Sequence, residues 1–560
     1  MAEPGKRDGL DALQESVATG DMDAVRERLL ALDDEERAVL EARLGAATMR
    51  RVYQRVRRAR RGPMRGRVVV LHGVMGSALD AVGADGDVDR IWLNYFRILA
   101  GRIAELRLGP GGEPASPRYR IRLGGLLPEY LPLLTELAER WEVLPVAYDW
   151  RHDVDRSADL LRDAIEPWAA GRPVHVVAHS MGGLVARRFV QRHPALWRSM
   201  ADPDGLARGG RLVMLGTPNR GSLAVPLVLS GREKTVRMLE MLDLRHDMGE
   251  LLRVVGTFAG VYQMLPSPEM AVGDDRAALF EPATWGDLPV HAPLLERARD
   301  VQRALEVVVD AERMLYVAGY DQRTPHRVRV DGPGRFSYQQ TLDGDGRVPH
   351  ELGLLDGVRT FWVRESHGDL ARSRRVLDGI HDLLERGATT ALESRRPVQR
   401  GVDEALARWQ TGDDIEPIPA EVASAALRPI DRGVTGDGRA DGRADARADA
   451  RAGERADERF TGDARATEVA RAHAARVEGW MLRDWLGTPG APEPVLEVAE
   501  RAARDGVGRA ARKATSLPRL RVEVWWGDIT RVPGDAHVVG HYENVLPQFA
   551  ELALDRMVSG

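Results

Sequence analysis

The chain has 560 residues, more than one ordinary hydrophobic core accommodates, since single cores stop growing near roughly 250–300 residues, so one large domain with appendages is expected. Its apolar fraction of 43% and charged fraction of 29% are globular values, and a net charge of −5 excludes a global attraction to nucleic acid or to an anionic membrane. The complete lack of cysteine excludes disulfides, a thiol nucleophile and thiolate metal sites.

The opening residues, MAEPGKRDGLDALQES, are polar and hold no apolar stretch of the kind a secretory signal needs. No run approaches the roughly 20 apolar residues of a membrane span. A soluble, cytoplasmic protein is therefore expected. Residues 8–61 read as two or three amphipathic helices, with Leu29, Leu30, Leu32, Val39, Leu40 and Leu44 at helical spacing around the charged DDEER, giving a helical N-terminal extension over 1–62. It ends in MRRVYQRVRRARRGPMRGR. Because Lys6, Lys234 and Lys513 are the only lysines, nearly all positive charge in the chain is arginine. This cluster is accordingly read as a solvated helix face ahead of a peripheral membrane contact.

From residue 68 the pattern changes to short β-branched runs separated by helical stretches, which predicts parallel strands with crossovers. The candidate strands are VVVL at 68–71, VLPVAY at 143–148, VHVVA at 174–178, LVML at 212–215, MLYVAG at 314–319 and TFWV at 360–363; helices are expected at 157–170 and 183–193. This alternation predicts the α/β class, a doubly wound and mostly parallel sheet covered on both faces, over residues 63–388. Between 215 and 314 the chain detours through about a hundred residues, far beyond an ordinary connection. The detour carries Met238, Met241, Met248, Met264 and Leu265 and reads as a cap over residues 217–312. Beyond 388 the pattern stops. Residues 389–515 read as a helical and low-complexity linker containing the near-repeat DGRADGRADARADARAGERADERF at 437–460. Residues 516–560 read as a small or incomplete α/β segment, with RVEVWW and HVVGHY as strands and 546–557 as a helix.

The segment VHVVAHSMGGLVARRFVQRH places a serine between a buried strand and an amphipathic helix. That is the setting of a nucleophile elbow in the α/β-hydrolase fold, and it makes Ser180 the candidate nucleophile. Such a turn needs small residues two before and two after the serine, a demand that Ala178 and Gly182 meet. Acyl chemistry further needs amide donors aimed at the developing oxyanion. One is expected from the backbone N–H of Met181, the second from LHGVMGSAL after the first strand, with Val74 favoured and Met75 as the alternative.

The partners follow in the order serine, acid, histidine in this fold. His367, in RESHGDL just beyond the last predicted strand, occupies the place of the base; His381 falls inside the following helix and His350 too close to the acid loop. For the acid, Asp343 and Asp345 in TLDGDGRVPHEL and Asp321 in GYDQRTP all qualify by position.

These segments together resemble the lecithin:cholesterol acyltransferase-like family of lipase-type hydrolases. The matching stretches are HGVMGS, AYDWR at 147–151, AHSMGG, LGTPNRGS at 215–222, VYQMLPS at 261–267, DGDGRVP at 343–349 and ESHGD at 365–369, covering about residues 65–388 in order. The family pattern Gly-Asp-Gly-Thr-Val implies Asp345 as the acid, with Arg347 standing where threonine is usual. It makes Asp149 and Arg151 structural, as an ion pair. It further implies a serine acyl hydrolase or O-acyltransferase on lipid esters, needing no metal or organic cofactor. The alternatives are an esterase, thioesterase or peptidase on a non-lipid substrate, or a hydrolase-fold module that binds a protein partner through its C-terminal segment; nucleic acid is not an expected partner.

Overall fold

The computed structural model describes residues 9–58, 63–397 apart from 85, 87, 117, 271 and 272, then 406–418 and 464–486. The repeat at 437–460 and the strands and helix read beyond residue 516 lie outside the described residues.

Four helices open the chain, Gly9–Thr19, Met22–Ala31, Asp34–Leu44 and Ala46–Arg57. The DDEER stretch starts the third one. There Asp33 accepts from the N–H of Glu36, whose carboxylate reaches back to the N–H of Asp33, a reciprocal cap. Leu29, Leu32, Leu40 and Leu44 are buried, whereas Leu30 stays 38% exposed. Several arginines of the following cluster have internal partners: Arg55 pairs with Glu136, and Arg67 is buried against Glu142 and the carbonyls of Trp168 and Ala169.

The strands in chain order are β1 Gly66–Leu71, β2 Ser77–Val82, β3 Val88–Trp92, β4 Arg120–Leu126, β5 Trp141–Val146, β6 Val174–His179, β7 Leu212–Leu215, β8 Met314–Gly319, β9 Thr324–Gly332, β10 Arg335–Thr341, β11 Arg359–Val363 and β12 Gln410–Thr411. Six of them form one parallel sheet in the order β11-β8-β7-β6-β1-β5. Its central strands are buried on both faces, as their unbroken apolar runs require. The order turns around at β1: the chain first crosses to β5, then returns to β6 and proceeds through β7 and β8 to β11. Parallel strands put all their C-terminal ends on one edge, and ligands of such sheets sit there.

Two small antiparallel sheets, β3-β2-β4 and β12-β10-β9, accompany the main one. The segment after the first strand therefore runs from strand to strand. Between β7 and β8 the chain builds a run of helices, among them Ala224–Leu229, Lys234–Leu242, Met248–Val255 and Ala292–Glu306. The helix Ala464–Met481 lies along Asp34–Leu44, where Arg43 bridges Glu129 and Glu478 at 2.7 Å each. Among the described residues no helix is long and apolar enough to cross a membrane.

Candidate active site

Ser180 follows β6 directly, and its backbone has φ 55° and ψ −127°. For a residue with a Cβ this is a strained conformation, held by the strand before it, the helix Met181–Arg192 after it, and its own N–H on the carbonyl of Leu215 at 2.9 Å. Ala178 sits in register between Leu71 and Met214, fully buried. The tight turn lifts the serine Oγ off the sheet edge, where groups from other strand ends converge on it.

His367 lies in the loop after β11 and Asp345 in the loop after β10. The N–H of His367 donates to the carbonyl of Asp345 at 2.7 Å, so the two loops are joined through backbone before their side chains meet. Nε2 of His367 is 2.8 Å from Oγ of Ser180, and Nδ1 is 2.8 Å from Oδ2 of Asp345. The other carboxylate oxygen of Asp345 accepts the N–H groups of Arg347 at 2.9 Å and Val348 at 2.7 Å. Burial by itself would raise the Asp345 carboxyl; the adjacent His367 and the two backbone donors outweigh it and hold the group below its ordinary value. An ionised Asp345 fixes the proton of His367 on Nδ1 and leaves Nε2 free to accept from the serine. Gly216, at φ 59° in LGTPNRGS, borders this pair: a Cβ there would stand 2.9 Å from Oδ2 of Asp345 and 3.2 Å from Nδ1 of His367.

The other candidates have different surroundings. Asp321 pairs with Arg364 at 2.5 Å, and Asp343 with Arg396 at 2.9 Å. His350 is bonded to the carbonyl of Gly319, and His381 accepts from the indole of Trp141 while facing Glu136. Asp149 and Arg151 form a two-pronged ion pair at 2.9 and 2.5 Å, and Arg151 also holds the carbonyl of Leu106.

The loop after β1 turns tightly, with the N–H of Gly76 on the carbonyl of Gly73 at 3.1 Å and Met75 at φ 64°. Among the described residues the N–H groups of Val74, Met75 and Met181 have no backbone acceptor. The start of a helix and a strained turn both leave such donors free, and Gly73 of the same turn stands against Ser180, where a Cβ on it would lie 2.7 Å from the serine Cβ.

His72, Tyr130 and His179 have no role legible in the sequence, although the two histidines lie inside HGVMGS and AHSMGG. All three are buried. The N–H of Gly73 donates to the hydroxyl of Tyr130 at 2.8 Å, that hydroxyl lies 2.9 Å from Nδ1 of His179, and Nε2 of His179 lies 3.0 Å from the carbonyl of His367. A carbonyl only accepts, so His179 carries its proton on Nε2 and takes the Tyr130 hydroxyl proton on Nδ1. Burial, and next the neighbouring His367, push His179 down to about 3; burial pushes His72 down to about 4. Both are neutral braces. Tyr130 and His179 link the loop after β1 to the loop that carries His367, while His72 ties that first loop to Tyr148.

An apolar cavity of about 60 Å³ lies between the loop after β1 and the helices that follow β7, lined by Val74, Met75, Trp150, Val225, Leu251 and Phe258 among others. Glu233 is the one charged side chain in its wall among the described residues. Among them, too, no group of three His, Asp or Glu side chains is placed to hold a metal ion.

Residues 138–291 match the family model described as lecithin:cholesterol acyltransferase. This segment is similar to that family. The lecithin:cholesterol acyltransferase match takes in YDWR, the serine elbow, LGTPNRGS and VYQMLPS, and ends before Asp345 and His367. No curated protein matches the chain. Among solved structures, the Tle4-Tli4 complex aligns at a TM-score of 0.35 and 14% identity, covering 58% of this chain and 99% of that one. The mature form of the Bacillus licheniformis lipase BlEst2 aligns at 0.30 and 13%, covering 58% and 94%. The fold assignment rests on the sheet order itself.

Proposed function

We propose that the protein is a serine-dependent acyl hydrolase or O-acyltransferase of lipid esters, with Ser180 as nucleophile, His367 as general base and Asp345 as its orienting acid. The observation that carries this reading is the pair of 2.8 Å contacts at His367, one to Ser180 and one to Asp345. A second support is the apolar cavity lined by Val74 and Met75 of the loop after β1, whose almost wholly hydrophobic wall suits an acyl chain.

As Oγ of Ser180 attacks the ester carbonyl, its proton passes to Nε2 of His367, and the imidazolium is stabilised by Asp345. The negative charge forming on the carbonyl oxygen falls to the amides of Met181 and Val74, with Met75 the other donor in reach of the same turn; one such donor is worth about 3 kcal/mol of barrier. Collapse expels the alcohol, which takes the proton from His367, and leaves an acyl-enzyme. Water then completes a hydrolase cycle, or a second alcohol a transferase cycle.

Labelling with a fluorophosphonate is the direct test. Wild-type protein is expected to react at Ser180, and Ser180→Ala to lose all labelling; equal labelling of both forms would remove the nucleophile from this reading. A panel of phospholipid and neutral lipid esters, with and without an alcohol acceptor, then separates hydrolysis from transfer.

A further inference from the structure

Arg347 stands two residues after Asp345, where the resembled pattern has threonine, and the reaction above has no use for its charge. Its guanidinium is buried 2.8 Å from Glu233, 2.8 Å from Glu416 and 3.5 Å from Asp484, and it lies 4.6 Å over the ring of Trp485. These partners come from separate parts of the chain. Glu233 caps the helix Lys234–Leu242 by accepting from Thr235 and Val236. Glu416 ends the short helix Gly412–Ile415, and Asp484 and Trp485 belong to the helix Arg483–Leu486. Lys234 adds a contact to Asp484 at 3.2 Å, and Thr235 donates to the carbonyl of Met481 at 3.0 Å. A threonine at 347 would carry neither the charge nor the length to reach these groups. The departure from the family pattern and the segment outside the hydrolase domain are thus parts of one arrangement.

Its product is the position of Trp485. The indole Nε1 donates to Glu233 at 3.1 Å, and the ring stands perpendicular to that of His367, 6.3 Å away centre to centre. Trp485 also lines the apolar cavity next to Val74 and Met75. In this arrangement Ser180, His367 and Trp485 are 2%, 1% and 4% exposed. An alcohol that leaves, or arrives, must exchange a proton with Nε2 of His367 and so must stand beside this imidazole. A buried ion cluster suits such a seat, because desolvation offsets much of its attraction: it sets a position without a large net stabilisation.

We propose that Trp485, seated by Arg347, is the gate on the alcohol side of Ser180, and that an ester with a bulky alcohol portion reacts only when Trp485 is displaced. This inference rests on the reading of Ser180, His367 and Asp345 given above. A displaced form held to roughly 10% or less of the population limits the rate for bulky groups, so releasing the gate raises that rate on the order of tenfold.

The test uses the full chain and two octylphosphonofluoridates, one with an ethoxy and one with a pyrenylbutoxy group, the octyl chain being common to both. Rate constants for labelling of Ser180 are measured for wild type, Trp485→Ala, Trp485→Phe and Arg347→Thr, and the ratio of bulky to small probe is compared. The ratio is expected to rise on the order of tenfold in Trp485→Ala and Arg347→Thr and to stay near wild type in Trp485→Phe. An unchanged ratio in Trp485→Ala, with the ethoxy probe still labelling Ser180, would overturn the gate alone. Absence of labelling in every form would overturn the nucleophile assignment and the gate with it.

Discussion

Asp345 has both carboxylate oxygens engaged, one on His367 and the other on two backbone N–H groups. Asp345→Asn keeps the shape and reverses the logic: an amide oxygen turned to the Arg347 and Val348 donors would face its NH2 group toward His367 and force the proton onto Nε2. Turnover of an ester substrate is expected to fall by about 10⁴-fold with the melting temperature little changed, as steady-state kinetics alongside thermal unfolding will show. Tyr130→Phe acts differently. It leaves the N–H of Gly73 without its acceptor and Nδ1 of His179 without its donor, both in the interior. A loss of about 1–3 kcal/mol in urea unfolding is expected, together with slower acyl-enzyme formation, because the donor loop and the histidine loop lose their shared brace.

At the scale of elements, the helix after Ser180 packs so closely on β1 and β7 that its glycines are steric requirements. A Cβ at Gly183 would collide with the side chain of Thr217, and Thr217 Oγ has no hydrogen-bond partner there. Gly183→Ala is therefore expected to destabilise by about 1–3 kcal/mol, and Thr217→Ala in the same chain to restore only part of it, since Cβ of residue 217 would still stand 2.7 Å from the new methyl, a coupling that a double-mutant cycle in urea measures directly. The same helix also shows why the main sheet was readable from sequence. Strands buried on both faces are unbroken β-branched runs, and the predicted and observed bounds of LVML and MLYVAG coincide. The sheet β3-β2-β4 left no such pattern, since Asp80 lies inside it and is neutralised across strands by Arg90 and Arg122; a charge on a strand reads as loop until its partners are known. Ser180 and His367 were legible because motif and strand ends are local. Trp485 was not: nothing in ARVEGWMLRDWLG says that this tryptophan meets an imidazole more than a hundred residues earlier. Arg347 was visible as a departure, but its reason lies in Glu233, Glu416 and Asp484.

For the molecule as a whole, the interior histidines set the response to acid. His72, His175 and His179 are held near 4, 3 and 3 by burial, against an ordinary value of 6.5. The unfolded chain takes up these protons first as pH falls through 6.5, while the native state declines them until pH approaches 3–4. Stability is therefore full above about pH 6.5 and is lost below it, by up to about 1.4 kcal/mol per pH unit for each such histidine. Urea midpoints measured between pH 7 and 4 are expected to fall steeply, with unfolding complete before the three groups reach their native titration; a flat profile would contradict this. The gate has its own consequence in time. Ser180, Asp345 and His367 are all synthesised well before residues 464–486, and at about 5–20 residues per second the ribosome needs roughly 5–20 s to make the stretch between. A nascent chain thus has every part of the site in hand while its cover is still unmade, and newborn and finished molecules would differ in what can reach the serine.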